Sequence, residues 1–281
     1  MRSFKQELVG VFGSPVAENP TQVMMEAAFA QLGLDWRYLT VEVHPEDLRD
    51  AVAGARAMNW RGFNCTIPHK VAVIPYLDQL TPAAELIGAV NCVVNQEREW
   101  IGDNTDGKGF VESLTTVRPI AGIRAVILGA GGAARAIAVE LALAGAAELT
   151  IVNRDHARRE ALLKSLRERT GAACNALPWE GEFAIPEHAE LLVNATSVGL
   201  YPNQDALVPV DLSTLRPGLI VCDVVPNPPT TRLLAEAQQR GATTLDGLGM
   251  LVSQGIIGLR LWTGLEADPI VMRRALAAAL Q

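Results

Sequence analysis

The chain has 281 residues, 49% of them hydrophobic and 20% charged, which is enough apolar material for one large or two modest globular cores. Its formal net charge of −7 disfavours binding to nucleic-acid phosphates or anionic lipids, so we expect a small-molecule substrate and neither a nucleic-acid nor a membrane partner. The four cysteines form no C-x-x-C pair and no leader-like or membrane-length apolar stretch is present, so we expect a cytoplasmic protein with free thiols. The four histidines lack metal-ligand spacing, so we expect no metal site. We expect a monomer or homodimer.

The N-terminal part of the chain alternates between strand and helix patterns. The predicted strands are 8–13, 36–43 and 62–67, and the predicted helices are 21–32 and 47–58. Strands that alternate with helices indicate a mostly parallel sheet. A polar turn at 102–107 then precedes a helix predicted from Lys108 to about Thr116, and we place a change of domain there.

A glycine-rich segment follows the apolar residues 126–128 and leads into a helical pattern. Gly129 permits a tight turn, Gly131 lets the backbone approach a pyrophosphate, and Ala134 is small enough for close packing of helix against strand. A strand–turn–helix of this kind is typical of dinucleotide-binding domains. A glycine-rich turn in another kind of α/β unit is the alternative.

The next predicted strand, 149–152, runs into Asn153 and Arg154. An NAD-binding unit usually carries an acid there for the ribose 2′-hydroxyl, whereas arginine indicates a 2′-phosphate and hence NADP. Arg158 lies one helical turn further on and can clamp the same phosphate, and a solvated helix charge is the alternative.

The C-terminal part completes the predicted architecture. Strands at 191–194 and 219–223 and a helix at 231–240 continue a doubly wound nucleotide domain. A long apolar helix that ends near Thr263 and a last helix from Pro269 can return to the first domain. We therefore predict an α/β protein of two domains: 1–106, completed by 247–281, with a mostly parallel sheet, and 107–246, a Rossmann-like domain that binds NADP.

Polar residues at strand ends are the candidates for chemistry, because ligands of open α/β sheets bind beyond those ends. Asn64 and Thr66 point to one side of a strand, and Lys70 follows the turn after it. Asn91 is likewise a polar residue in an apolar predicted strand. Taken alone, each signal has a structural explanation: a solvated lysine, turn chemistry and a helix cap at 103–107, or hydrogen-bonded core amides.

In combination, the motifs resemble the shikimate dehydrogenase family over nearly the whole chain. The matching segments are Asn64-x-Thr66-x-Pro68-x-Lys70, Gly88-Ala89-Val90-Asn91, Gly102-Asp103-Asn104-Thr105-Asp106-Gly107, Gly129-Ala130-Gly131-Gly132-Ala133, Asn153-Arg154, Asn194-Ala195-Thr196-Ser197-x-Gly199 and Gly247-x-Gly249-Met250-Leu251-Val252-x-Gln254.

The resemblance implies an NADP-dependent enzyme that reduces 3-dehydroshikimate to shikimate. It implies that Lys70 and Asp106 form the catalytic pair, that Asn91 and Gln254 bind substrate hydroxyls, and that Asn64 and Thr66 line the same pocket. The implied cofactor residues are Gly129, Ala130, Gly131, Gly132, Ala133, Asn153, Arg154, Arg158, Thr196, Ser197 and Gly247.

The chain departs from the family pattern at several positions. Asn19 and Thr21 stand where the family has two serines that hold the substrate carboxylate, Glu18 stands where it often has histidine, and Pro226 replaces a tyrosine. Asp155, beside Arg154, is an acid that can bind a ribose, so NAD is a possible cofactor. These departures leave open a dehydrogenase of quinate or another cyclic polyol, or a dinucleotide-binding regulatory protein without turnover.

Overall fold

A computed structural model describes residues 4–280; residues 1–3 and 281, which include part of the predicted terminal segments, lie outside the described residues. The strands are β1 (Glu7–Gly13), β2 (Trp36–Glu42), β3 (Gly62–Cys65), β4 (Gln79–Leu80), β5 (Cys92–Gln96), β6 (Glu99–Asp103), β7 (Arg124–Leu128), β8 (Glu148–Asn153), β9 (Cys174–Pro178), β10 (Leu191–Asn194), β11 (Ile220–Asp223) and β12 (Thr243–Leu245). The helices are α1 (Thr21–Gln31), α2 (Leu48–Ala57), α3 (His69–Ala72), α4 (Pro82–Ile87), α5 (Thr105–Thr115), α6 (Gly132–Leu143), α7 (His156–Thr170), α8 (Arg232–Gln239), α9 (Gly247–Thr263) and α10 (Pro269–Ala279).

These elements form two compact units. The first comprises the chain up to Thr105 and again from Val252, and the second comprises Asp106–Leu251. Each unit contains one six-stranded sheet.

The sheet of the first unit is mixed, with the strand order β2-β1-β3-β5-β6-β4. β1 is parallel to β2 and β3, and β4 is parallel to β6, but β5 runs antiparallel to β3 and β6. Glu97 and Arg98 make the whole connection between β5 and β6, and their φ angles of 51° and 74° suit a tight hairpin turn. So short a connection cannot make the crossover that parallel neighbours need, which is why this pair departs from the predicted alternation.

The sheet of the second unit is parallel throughout, in the order β12-β11-β10-β7-β8-β9. The chain starts in the middle at β7, adds β8 and β9 on one side, and returns to add β10 to β12 on the other. This doubly wound order places a ligand crevice at the carboxyl ends of β7 and β10, where the direction of winding changes. The predicted Rossmann-like domain is confirmed, and most strand pairs of the two sheets are parallel, as predicted.

The cores follow from the strand patterns. In the first unit Phe63 stacks on Phe12 with ring centroids 4.6 Å apart and meets Trp100 edge-on at 5.3 Å. In the second unit the last four residues of β7 are all buried, because a parallel strand covered on both faces is a continuous apolar run. The residues that follow each such strand are therefore the first that can face a ligand.

Two local predictions need correction. Helix α5 begins at Thr105 instead of Lys108, so that Asp106 lies in its first turn. Asn91, which we expected inside a strand, directly precedes β5. The two differences have one cause, since the Asn91 side-chain oxygen accepts a hydrogen bond from Thr105 N at 2.7 Å and supplies a partner for the start of the helix.

All four cysteines are buried free thiols, as predicted. Burial raises the pKa of Cys65 to about 12, which keeps it an inert packing residue. Between residues 4 and 280, no helix has both the length and the hydropathy of a membrane span. The same residues contain no group of three or more His, Cys, Asp or Glu side chains arranged to hold a metal ion.

Candidate cofactor and substrate sites

The turn after β7 combines one glycine that the backbone requires with two that packing does not require. Gly129 has a φ of 116°, and a Cβ there would come within 2.9 Å of the Ala195 carbonyl oxygen, so only glycine fits. By contrast, a Cβ at Gly131 or Gly132 would meet no protein atom within 4 Å. Packing does not require glycine at these two positions, which leaves the space beside the backbone to a ligand.

Helix α6 starts directly after this turn. Gly131 is the N-cap, and no side chain among the described residues caps the helix. Its first backbone N–H groups therefore keep their hydrogen-bonding capacity, and the helix dipole adds a partial positive charge. Together with Ala130 and Ala133 in the same turn, this arrangement fits the pyrophosphate of a dinucleotide.

The end of β8 carries the residues predicted to read the adenosine ribose. Asp155 is the N-cap of α7: its carboxylate accepts a hydrogen bond from Arg158 N at 3.0 Å and lies 3.3 Å from Arg158 Nε. Asn153 Nδ2 donates to the Asp155 carbonyl oxygen at 3.0 Å and fixes the turn. Arg154 is exposed and makes no side-chain hydrogen bond or ion pair with any described residue. Because Asp155 already serves the helix and Arg158, we predict that Arg154 is the principal ligand of a 2′-phosphate.

We expect Arg154→Ala to raise the KM for NADPH about tenfold or more and to leave the KM for NADH nearly unchanged, because a charge-assisted hydrogen bond to phosphate is worth about 1.5–3 kcal/mol. Initial rates with each cofactor measure this. Arg169→Ala, an arginine near the other end of α7, is the matched control. Equal changes in the two constants would show that Arg154 does not distinguish the cofactors.

A buried network at the ends of β10 and β11 shapes the loop that carries Thr196 and Ser197. Asn194 Oδ1 accepts hydrogen bonds from Thr196 N at 3.1 Å and Thr196 Oγ1 at 2.6 Å, and Asn194 Nδ2 donates to Asp223 at 3.0 Å. Asp223 also accepts from Val225 N at 3.0 Å and Thr231 Oγ1 at 2.8 Å. Burial raises the pKa of Asp223, and these three hydrogen bonds partly offset the rise.

Ser197 and Gly247, the two other predicted cofactor residues of this region, have different surroundings. Ser197 lies in the wall of a cavity of about 630 Å³. Gly247 opens α9, and a Cβ there would overlap the Val225 carbonyl oxygen, so its glycine is required by the backbone of the protein itself. Sequence reasoning did not assign Asp223, although its place at the end of an apolar strand was a usable signal.

We expect Asp223→Ala to lower the free energy of unfolding by about 3 kcal/mol or more, because it leaves three buried donors without an acceptor. It should also raise the KM for NADPH through the displaced Thr196 loop. Denaturant unfolding and initial rates measure the two effects. Asp211→Ala is the control, because Asp211 is a carboxylate outside the core that caps only a short turn at Ser213, and its effect should be smaller. A loss of stability no greater than that of the control would contradict the proposed role of the network.

In the first unit, the predicted substrate residues Asn64, Asn91 and Gln254 form one buried network. Asn64 Nδ2 donates to the Asn91 carbonyl oxygen at 2.9 Å, and Asn91 Nδ2 donates to Thr105 Oγ1 at 3.0 Å and lies 3.5 Å from Gln254 Oε1. Thr105 Oγ1 lies 3.4 Å from the same oxygen of Gln254. Residues distant in sequence thus converge on one point. Sequence reasoning missed Thr105, although it stood inside the polar turn.

Thr66 and Lys70 lie next to this network on the segment after β3. The Thr66 side chain packs against Gly13, where β1 ends, and Lys70 lies half-buried in the single turn of α3. The Lys70 carbonyl oxygen accepts a hydrogen bond from Val90 N at 2.7 Å, which ties the lysine to the residue before Asn91. In the second unit, Asp106 lies half-buried in the first turn of α5.

The segment between β1 and α1 carries the two positions that depart from the family pattern. Asn19 Oδ1 accepts a hydrogen bond from Thr21 N at 3.0 Å, so its amide NH₂ group is what remains for a ligand. Thr21 is the first residue of α1 and only 6% exposed, and its hydroxyl has no partner among the described residues. The Glu18 side chain is exposed, and Pro226, in the second unit, is half-buried.

Three descriptions of protein families match successive parts of the chain. The description "Shikimate dehydrogenase substrate binding domain" matches residues 11–93, "Shikimate / quinate 5-dehydrogenase" matches residues 113–199, and "Shikimate 5'-dehydrogenase C-terminal domain" matches residues 247–277. The shikimate dehydrogenase (NADP(+)) of Methanopyrus kandleri is 46% identical over 278 residues, which are 98% of this chain and 96% of that protein. The chain belongs to the shikimate dehydrogenase family.

Two solved structures are similar to this shikimate dehydrogenase family member over almost its whole length. The ligand-free 5-ketofructose reductase of Gluconobacter sp. strain CHM43 is 52% identical with a TM-score of 0.95, covering 99% of this chain and 100% of that chain. The shikimate 5-dehydrogenase of Listeria monocytogenes, in complex with shikimate and NAD, is 37% identical with a TM-score of 0.90, covering 97% and 96%.

Proposed function

We propose that the protein is an NADP-dependent dehydrogenase that reversibly reduces 3-dehydroshikimate to shikimate. The observation that carries this proposal is the 46% sequence identity, over 98% of this chain, to an NADP(+)-dependent shikimate dehydrogenase, together with the presence of the Lys70 segment and of Asp106. A dinucleotide-binding protein without turnover would need neither Lys70 nor Asp106.

The residues at the carboxyl ends of β7 and β8 fit NADP. The open backbone at Gly131 and the start of α6 would hold the pyrophosphate, and Arg154 would hold the 2′-phosphate. When bound, the reduced nicotinamide supplies a hydride to the carbonyl carbon of the substrate. NAD remains a second cofactor for this chain, since the Listeria monocytogenes relative was solved with it.

Lys70 and Asp106 supply the rest of the chemistry in this proposal. As the carbonyl carbon gains the hydride, its oxygen becomes negative, and the Lys70 ammonium group donates a proton to it. In this proposal the Asp106 carboxylate orients the Lys70 side chain. Asn91 and Gln254 orient the substrate through its hydroxyl groups, and Asn64 and Thr66 line the pocket beside them. In the reverse direction Lys70 takes the proton back from the alcohol.

A second candidate substrate is 5-ketofructose. It is favoured by the 52% identity to the 5-ketofructose reductase over nearly all of both chains and by the segment between β1 and α1, where Asn19 and Thr21 replace two serines. An amide and a β-branched hydroxyl reach differently from two serines, and a sugar without a carboxylate does not need that pair. The reaction type and the roles of Lys70 and Asp106 are the same for both substrates.

NADPH oxidation, followed by nicotinamide absorbance, separates the candidates. The assay compares 3-dehydroshikimate and 5-ketofructose with NADPH and NADH, and shikimate, quinate and fructose with the oxidised cofactors. A higher kcat/KM for 3-dehydroshikimate supports the first candidate and a higher value for 5-ketofructose supports the second. Absence of turnover with all of them contradicts the proposed enzyme and favours a binding protein.

We further propose a cytoplasmic location and a monomer or homodimer. The four buried thiols without disulfides support a reducing compartment. Cell fractionation and light scattering of the purified protein test these two points.

A further inference from the structure

Tyr38 lies at the far end of the hydrogen-bond network that contains the candidate substrate residues. It is fully buried in β2, and its phenol Oη donates to Asn64 Oδ1 at 2.7 Å. The register explains this contact: Tyr38 is paired with Val9 and Asn64 with Val11, and paired residues point to the same face of the sheet. The phenol therefore reaches across β1 to the strand that leads to Lys70.

The hydrogen bonds of Asn64 to Tyr38 and to the Asn91 carbonyl oxygen define the orientation of its side-chain amide. The Asn91 carbonyl oxygen can only accept, so Asn64 must present Nδ2 to it, at 2.9 Å. Asn64 Oδ1 then faces Tyr38, and only a donor satisfies it. Burial raises the pKa of Tyr38 above its ordinary value, and Cys92 and Cys65 act in the same direction, so the phenol keeps its proton at every working pH.

Tyr38 is itself held through its backbone and through its ring. Tyr38 N donates to Glu26 Oε1 at 2.7 Å, and the ring meets Trp262 of α9 at a centroid distance of 6.3 Å. Trp262 in turn donates from Nε1 to the Val93 carbonyl oxygen at 3.0 Å. These contacts leave the phenol oxygen little freedom to follow a shifted Asn64.

We infer that Tyr38 is a positioning residue of the substrate site: its phenol holds Asn64 in the orientation that offers the second amide N–H to a substrate hydroxyl. The inference rests on the proposed function, in which Asn64 lines the substrate pocket. No sequence motif pointed to Tyr38, because it lies outside every matching segment of the sequence.

The test is Tyr38→Phe, which removes one oxygen atom and keeps the ring. With 3-dehydroshikimate and with 5-ketofructose, the KM of whichever substrate is turned over should rise about 5- to 30-fold, as expected for a buried acceptor that loses its donor. The value of kcat should change much less, and the KM for NADPH should stay constant. Tyr76→Phe is the matched control, because it makes the same change at a partly exposed tyrosine and should alter none of these constants.

A double-mutant cycle distinguishes positioning from general loss of stability. If Tyr38 acts through Asn64, Tyr38→Phe should add nothing to the KM of Asn64→Ala. Independent, multiplicative effects, or a KM for Tyr38→Phe equal to that of the unsubstituted protein, would overturn the inference.

A readout without turnover separates the inference from the proposed function. The Asn64 side-chain NH₂ signal in a ¹⁵N–¹H spectrum, assigned by its loss in Asn64→Asp, should shift in Tyr38→Phe and not in Tyr76→Phe. An unchanged signal overturns the inference even if the enzyme is active. If neither ketone is bound or reduced, the proposed function fails, and the NMR comparison still decides whether Tyr38 holds Asn64.

Discussion

Lys70→Ala is expected to lower kcat by about 10²- to 10⁴-fold, the usual contribution of a general acid–base group. The KM for NADPH should remain nearly unchanged, because Lys70 belongs to the first unit, whereas the glycine turn and Arg154 belong to the second. Steady-state rates with NADPH and saturating ketone measure the first effect, and cofactor titration by nicotinamide fluorescence measures the second.

Two further variants define the role of Lys70. Lys164→Ala, an exposed lysine on α7, makes the same chemical change away from the candidate site and should leave kcat intact. Asp106→Asn should also lower kcat, since it removes the charge that holds the ammonium group, whereas a helix residue with a purely structural role would change stability and spare kcat. An unchanged kcat in Lys70→Ala would remove Lys70 from the mechanism.

The second large effect concerns the substrate carboxylate. We expect a high KM for shikimate in the unsubstituted protein and a lower KM, by about tenfold or more, in the double variant Asn19→Ser with Thr21→Ser. Each hydrogen bond to a charged group is worth about 1.5–3 kcal/mol, so even one better-placed hydroxyl accounts for the change. The effect should appear in KM more than in kcat, because the carboxylate is held equally in the ground and transition states.

The fold around this segment should tolerate both serines. A serine hydroxyl at position 19 can accept the hydrogen bond from the backbone N–H of residue 21 that Asn19 accepts now, at 3.0 Å, so the start of α1 keeps its partner. Glu18→Gln is the matched control, because the Glu18 side chain is exposed and removal of its charge should change the KM for shikimate less than the double variant does. The carboxylate argument is wrong if the KM for shikimate of the unsubstituted protein is already low, or if the double variant binds shikimate no better.

Much of the cofactor site could be predicted from the sequence because it is local. Gly129, Gly131 and the start of α6 lie within a few consecutive residues, and Arg154 follows the next strand at the spacing that such domains use. The cap at Asp155 was the part that the sequence left ambiguous. Whether that acid serves a ribose or its own helix depends on a side-chain rotamer, which only the structure defines.

The substrate network was harder to predict because it is not local. Asn64 and Asn91 are 27 positions apart, and Asn91 and Gln254 are 163 apart, so no periodicity joins them, and only the family resemblance brought them together. The β5–β6 hairpin escaped prediction because its turn, Glu97-Arg98, contains none of the usual glycine or asparagine signals despite two positive φ angles. Tyr38 has the pattern of an ordinary buried strand residue, and that pattern indicates burial but not the partner of its hydroxyl.

Gly129 and Gly131 are two positions apart, but different factors limit which side chains the two positions can take. The first is imposed by the backbone of the chain, through a φ of 116° and the nearby Ala195 oxygen. At the second, a φ of −82° suits any amino acid, and a side chain would enter open space. A bulky residue at 131 would therefore spare folding and obstruct only the dinucleotide. A single replacement at 131 would thus remove the redox chemistry and lower the stability by no more than the preference of a helix N-cap for glycine, so thermal unfolding would hardly report the loss.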